Sequence, residues 1–393
     1  MHRSEHRILT THTGSLPRPA RLAQLLVQQE QQQPLDPSEL AREIDTALDL
    51  VVRQQLKAGV DIGNDGEIPR IGFSTYVTQR MTGFGGTSAR RSIIDTQKFP
   101  EYADFLRRQI GTPEQGPRVW NAPQAVSAVR YDSTLSEAKR EQAAFASCLQ
   151  RQQGRFVETF MSAASPGILS TTLHRAPHNP AYPSDEEYVL ALAREMRHEY
   201  EYVVAQGHIL QLDAPDLAME RIIMFGDRPL QEFLDRVDLH IQAINLALEN
   251  IPRDRVRLHV CWGNYQGPHQ DDVALEEILP RLYQAKVGAL SIPFGNPRHE
   301  HETALFRKYP PPPELLIIAG VIDVTTNYLE HPEVVAKRIG EVVEAVGDRS
   351  RVLAGTDCGF GTFATFEFIA RDVVWAKLRS LSEGAAIASA RLW

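Results

Sequence analysis

At 393 residues and 42% apolar content, the chain is long enough to bury a large core, either as one big barrel with insertions or as two medium domains. Its formal charge of −8 comes from acids and bases interspersed along the chain, which argues against nucleic acid or a membrane surface as partner and for small molecules. No stretch approaches the roughly 18 consecutive apolar residues of a membrane span, the start MHRSEHRILTTHTGS has no signal-peptide core, and Cys148, Cys261 and Cys358 are too few and too widely spaced for a disulfide framework; a cytoplasmic protein is expected.

In chain order, a short strand is predicted at 8–12 (ILTTH) and another at 60–65 (VDIGND). A helical run from Ser38 to Ala58 separates them, started by Pro37-Ser38. Gln-rich VQQEQQQP at 27–34 reads as a surface linker, as does PPPP at 310–313. The stretch 73–155 fits no strand–helix unit and reads as an insertion, mostly helical from Glu137 to Gln153, with Cys148 packed inside it. After residue 155 short apolar segments alternate with longer amphipathic ones, the rhythm of repeated βα units. Strands are predicted at 156–162, 208–213, 256–261, 288–293, 315–322 and 352–357. Helices are predicted at 185–206, 229–250, 273–286, 332–346 and 364–381. Strands and helices in this number predict an α/β fold, a single (β/α)8 TIM-type barrel over 1–393 with a helical insertion at about 73–155, after the second strand.

In such a barrel chemistry sits at the carboxyl ends of the strands. The predicted strands run into Thr13-Gly14-Ser15, Asp65-Gly66-Glu67, Asp213-Ala214-Pro215-Asp216, His259 with Cys261, and Asp357-Cys358. His259 and Cys261 stand two apart on a strand, so both face the same side. Cys358 from another strand end would complete one nitrogen and two sulfurs, a donor set that suits tetrahedral zinc. Read as packing instead, the same residues are a buried histidine and small apolar cysteines. Three protein ligands leave a position for substrate, and a bound thiol would be held there as thiolate at neutral pH. Hydrolysis is the competing use of an open zinc, but sulfur-rich sites are less typical for it.

The motifs THTGSLPRP, DGEIPR, LQLDAP, LHVCWGN, GVIDVTTNYLEHPE and GTDCGFG, spread from residue 11 to 361, resemble those of the cobalamin-independent methionine synthase family, in its single-barrel form. The family also contains epoxyalkane:coenzyme M transferases, and Asn296 to Glu302 is similar to a segment of theirs. By that resemblance His259, Cys261 and Cys358 are zinc ligands, Ser15, Glu67 and Asp213 hold the amino-acid part of homocysteine, and Glu67 and Asp213 also serve as catalytic carboxylates. The partners implied are a small-molecule thiol and an alkyl donor, with further copies of the chain as an open question. Three departures from the family pattern stand out. Pro293 occupies the place of a glutamate zinc ligand, for which His299, Glu300 or His301 could substitute; Thr325 replaces a histidine acid; and SPGILSTTLH lacks the tryptophan expected against a folate.

Trp262 reads as rim packing, and Asn327, Glu330 and His331 as loop residues within reach of the site. The leading expectation is a methyltransferase acting on homocysteine in methionine biosynthesis. The alternative is a thiol–epoxide transferase or carbon–sulfur lyase, for which Arg18, Arg70 and Arg298 would bind a sulfonate. A barrel that only carries or senses a thiol or metal, and a metal-free decarboxylase-like barrel, are the remaining readings.

Overall fold

The structure is a computed structural model that describes residues 1–88, 90–110 and 122–393. The predicted insertion at 73–155 includes positions 89 and 111–121, which lie outside the described residues. Among the described residues nine strands are formed: β1 (Ile62–Gly63), β2 (Met81–Gly85), β3 (Gln124–Tyr131), β4 (Glu158–Ala164), β5 (Ile209–Asp213), β6 (Val256–His259), β7 (Ala289–Pro293), β8 (Leu316–Ile322) and β9 (Val352–Thr356). Seven of them make one curled parallel sheet in the order β1-β4-β5-β6-β7-β8-β9. Their sequences are near-continuous apolar runs, such as LIIAGVI in β8, because a parallel sheet is covered on both faces.

The stretch 8–12 closes the ring. Thr10 bridges Ala354 of β9 and Thr11 bridges Ile62 of β1, both in parallel. Thr11 N–H donates to the Ala354 carbonyl at 2.9 Å, Ala354 N–H to the Leu9 carbonyl at 2.9 Å, and Ile62 N–H to the Thr10 carbonyl at 3.0 Å. It stays short of a regular strand because side chains take over its other bonds: Thr10 N–H donates to Asp61 Oδ2 and Thr11 Oγ1 to the Ile62 carbonyl.

Inside the ring, Leu9, Ile62, Phe160, Ile209, Ala289, Leu316, Ile318 and Leu353 form a compact apolar layer. β6 contributes a polar residue instead. Arg257 of β6 lies buried over the Phe160 ring at 3.5 Å and donates to Gln211 Oε1, Thr11 Oγ1 and the His12 carbonyl. Burial lowers its pKa to about 9, with Asp213 opposing. A far larger apolar cluster joins the sheet to the outer helices, among them Pro37–Lys57, Asp185–Ala205, Leu230–Ala247, Leu275–Leu282, Pro332–Val346 and Arg371–Leu392.

Three expectations are corrected. The predicted linker at 27–34 begins inside a helix, Ala20–Glu30, whose Leu22, Leu25 and Leu26 are buried. The predicted helix at 364–381 begins only at Arg371 and runs to Leu392, because the aromatic stretch before it folds back across the barrel mouth. The insertion contains, besides the expected helix Ser136–Arg151, an antiparallel pair of β2 and β3 and the helix Pro100–Ile110.

The insertion is fastened to the barrel by buried charge. Arg70 pairs with Glu141 at 2.7 Å, Arg80 with Glu141 at 2.9 Å and with Glu199 at 3.1 Å, while both guanidinium groups lie over the Tyr76 ring. Tyr76 and Tyr131 hydroxyls donate to Glu199. Arg70 also donates to the Ser162 carbonyl of β4, which anchors the loop carrying Glu67.

Candidate metal centre

His259 ends β6, and Cys261 follows two residues later, so both turn toward the barrel mouth. The strand stops two residues before its predicted end, but Val260 N–H still donates to the Ser291 carbonyl and keeps Cys261 in line. Cys358 arrives from the loop after β9. The candidate ligand atoms of His259, Cys261 and Cys358 lie within 4.8 Å of one another, and the two sulfurs are 3.9 Å apart. Among the described residues this is the one His, Cys, Asp or Glu group so arranged. The hydrogen bond between the two sulfurs lowers the Cys261 pKa well below the usual thiol range, against burial and with help from His259. Cys358 moves the opposite way for the same reason.

Asp213 ends β5 and is the register partner of His259. Its Oδ1 lies 3.0 Å from His259 Nδ1 and accepts from Gln211 Nε2 at 2.8 Å. Burial works against the imidazolium, yet Cys261 and Asp213 carry the His259 pKa up to about 10. Asp357, beside Cys358, accepts from the backbone N–H groups of Phe294 and Gly295 and from Asn296 Nδ2, tying the loop after β7 to the loop after β9.

Glu67 sits in the left-handed region at φ 55°, a costly conformation for a residue with a Cβ. It is held there by Asp65 Oδ1, which accepts from its N–H, and by Arg18 Nη2, which donates to its carbonyl. Its Oε1 accepts from Ser162 Oγ at 2.6 Å, whereas Oε2 has no hydrogen-bond partner among the described residues. Burial and then the nearby Asp213 push its pKa up to about 7. Gly14 makes room for it: at φ 134° a Cβ there would stand 2.8 Å from Glu67 Oε1. Ser15 packs under the Cys358 loop, where a Cβ on Gly359 would stand 2.0 Å from Ser15 Oγ.

Ser15, Glu67, Asp213, His259, Cys261 and Cys358 all line one cleft enclosing about 1110 Å³, part of it open to solvent. Its upper walls are apolar and come from the insertion and from the loops after β5 and β9. Cys261 and Cys358 also wall a neighbouring cavity with Pro293, Thr325 and His299.

The candidates for a fourth ligand are placed otherwise. His299 stacks on Trp262 at 3.9 Å, with Nδ1 2.7 Å from Glu302 and Nε2 3.0 Å from Asp272, so both ring nitrogens are taken. Glu300 pairs with Arg338, and His301 is exposed. Trp262 is buried and donates to the Val273 carbonyl, as packing requires. Thr325 bonds Asp323 within its own turn. Asn327 binds the main chain of Phe368 and Ala370, Glu330 pairs with buried Lys377, and His331 caps the helix Pro332–Val346, so none of the three reaches the cleft. Of the arginines considered for a sulfonate, Arg18 is spent on carbonyls of Gly361 and Glu67, Arg70 on Glu141, and Arg298 donates to the Gln270 carbonyl at the surface. The cationic side chains that do line the cleft, Arg90 and Arg91, belong to the insertion and carry no motif.

Fold and site together define a TIM-type α/β barrel with a His/Cys/Cys cluster able to hold a metal ion at the carboxyl ends of its strands. No protein-family model matches the chain. In sequence it is 23% identical to the methionine synthase of Saccharolobus solfataricus over 395 aligned residues, 95% of this chain and 93% of that protein. It is 29% identical to the 2-hydroxypropyl-CoM lyase of Xanthobacter autotrophicus over 180 residues, 39% of this chain and 46% of the lyase. In structure it matches a B12-independent methionine synthase from Shewanella sp. W3-18-1, solved in complex with selenomethionine, with a TM-score of 0.71 at 22% identity, over 98% of this chain and 99% of the other. A putative vitamin-B12 independent methionine synthase from Listeria monocytogenes matches with a TM-score of 0.61 at 18% identity over the same shares. The resemblance to cobalamin-independent methionine synthase read from the motifs is thus borne out. No helix among the described residues is long and apolar enough to cross a membrane.

Proposed function

We propose that the chain is a zinc-dependent enzyme that activates a small-molecule thiol for alkyl transfer, methionine synthase-like, with homocysteine as the thiol and a methyl group as the carbon transferred. The observation that carries this is the shared cleft floor, where His259, Cys261 and Cys358 meet Glu67, Asp213 and Ser15. The donor set fits zinc. With Zn–S bonds of about 2.3 Å, a tetrahedral ion holds two sulfurs about 3.8 Å apart, against 3.9 Å between Cys261 and Cys358. When bound, the ion would favour the thiolate of a substrate sulfur at neutral pH.

The chain's own residues do the rest. Asp213 holds His259 at Nδ1 and so fixes the ring beside the two sulfurs. Glu67 offers an unpaired oxygen in a buried place, an anionic partner for a substrate ammonium. Its carboxyl is poised near neutrality, so a cation arriving beside it draws off the proton. The apolar walls keep water from the sulfur and hold the donor carbon in line with it. Similarity to methionine synthase along the whole chain supports this reading.

A second reading, thiol–epoxide transfer or its reverse, is favoured by the 29% identity to 2-hydroxypropyl-CoM lyase. Against it, Arg18 and Arg70 are consumed internally while carboxylates face the cleft. The test is proton release from zinc-loaded protein mixed with homocysteine or coenzyme M in weak buffer. About one proton per chain is expected with homocysteine alone, and none in Cys358→Ser. Release with coenzyme M alone selects the second reading, and release with neither thiol overturns thiol activation.

A further inference from the structure

The cleft above the metal centre differs from its floor in chemistry. Its walls carry Phe73, Ile93 and Leu106 from the insertion, Met219 from the loop after β5, and Phe363 and Phe366 from the loop after β9. Two aromatic contacts hold them in place: Phe73 against Phe363 at 5.8 Å and Phe366 edge-on to Phe368 at 4.4 Å. These half-buried side chains, with buried Leu106, line one cleft, and a concave apolar wall of this kind marks a place where something apolar sits.

At the rim stand two cations. Arg90 is committed to Glu220, which is fully buried. Arg91 is 55% exposed and, among the described residues, pairs with Asp227, itself 72% exposed, at 3.4 Å. An ion pair so exposed contributes little, so Arg91 can exchange it for a ligand anion at small cost.

We propose that the second substrate at this centre has an apolar, partly aromatic carbon skeleton and an anionic end, with the skeleton between the phenylalanines and the anion at Arg91. This rests on the reading of the centre as a thiol-activating metal site, and it names the chemical class of the partner that meets the thiol. A polar or zwitterionic donor would leave the phenylalanine walls facing water, whereas an aryl or alkyl chain buries them.

The experiment is a calorimetric titration of the zinc-loaded protein with the ω-phenylalkanoates from phenylacetate to phenylhexanoate, with phenylhexanol as the uncharged control and phenylhexyl sulfonate as the second acid. Affinity should rise about fourfold per methylene until the cleft is filled, and phenylhexanol should bind about tenfold more weakly than phenylhexanoate. Arg91→Gln should abolish the difference between acid and alcohol, and Phe366→Ala should flatten the chain-length series. The tighter of the carboxylate and sulfonate arms identifies the acid. Protein that takes up zinc and releases a proton with homocysteine, yet shows no rise along the series, overturns the inference and leaves the thiol reading standing. An intact series in protein that neither binds zinc nor responds to a thiol does the reverse.

Discussion

His259 is held from two sides, by Asp213 at Nδ1 and by the Asp357 carbonyl 3.3 Å from Nε2, so its orientation is set before any ligand arrives. A histidine oriented in this way binds a metal more tightly than a free one, and losing the orienting carboxylate typically costs 10–100-fold in affinity, to order of magnitude. Asp213→Ala should therefore weaken zinc about that much in a chelator competition; unchanged affinity would mean that Asp213 serves substrate alone. Glu67→Gln separates the other role. It should leave zinc affinity within about twofold and raise the KM for homocysteine, because it removes a charge from the substrate ammonium and touches no metal ligand. His259, Cys261 and Cys358 were legible in the sequence because residue type and position at strand ends coincide. The contact of Asp213 with His259 was not, since it depends on the register of β5 against β6, which no spacing encodes.

At the scale of elements, the insertion is fixed by ion pairs that no spacing in the sequence encodes, as Glu141 lies 71 residues from Arg70, which the sequence offered only as a sulfonate binder. Burial raises the Glu141 pKa, but Arg70 and Arg80 hold it down at about 2. Glu141→Gln leaves buried Arg70 without a carboxylate partner and Arg80 with Glu199 alone, and should destabilise the fold by about 3–5 kcal/mol in urea unfolding at neutral pH. The sign with pH follows from a folded pKa below the unfolded one: the contribution is present above about pH 4.3 and is lost as pH falls toward 2. Wild type and variant should then converge in acid. The loop after β6 has the opposite dependence. His299 is pushed down by burial but raised to about 9 by Asp272 and Glu302. Its contribution is full below about pH 6.5 and fades as pH rises through 9. Hydrogen exchange in 262–272 should therefore quicken between those values in wild type, and show no such step in His299→Phe, which keeps an aromatic ring against Trp262.

For the whole molecule, ring closure by the stretch 8–12 is the weakest seam, with single bridges on each side. Thr11→Pro removes the N–H that bonds Ala354 and should cost about 3 kcal/mol or more in stability, with loss of metal affinity as the strand ends lose alignment. The strands after residue 155 were legible within a residue or two at most ends, because fully buried parallel strands announce themselves as short apolar runs. The first two staves were less so. Predicted at 60–65, β1 covers Ile62–Gly63 alone, and a Cβ at Gly63 would stand 2.4 Å from the Phe156 ring. The stretch 364–370 reads as helix from its sequence, yet its Phe366 and Phe368 line the cleft; apolar pattern alone does not tell a core from a cleft wall. Thiol activation depends on one centre, and metal content of the purified protein tests it most directly, in wild type and in Cys261→Ser and Cys358→Ser. About one zinc per chain is expected in wild type, with its loss in both variants and folding retained. Wild type that holds no zinc after reconstitution, or variants that hold as much as wild type, would contradict it.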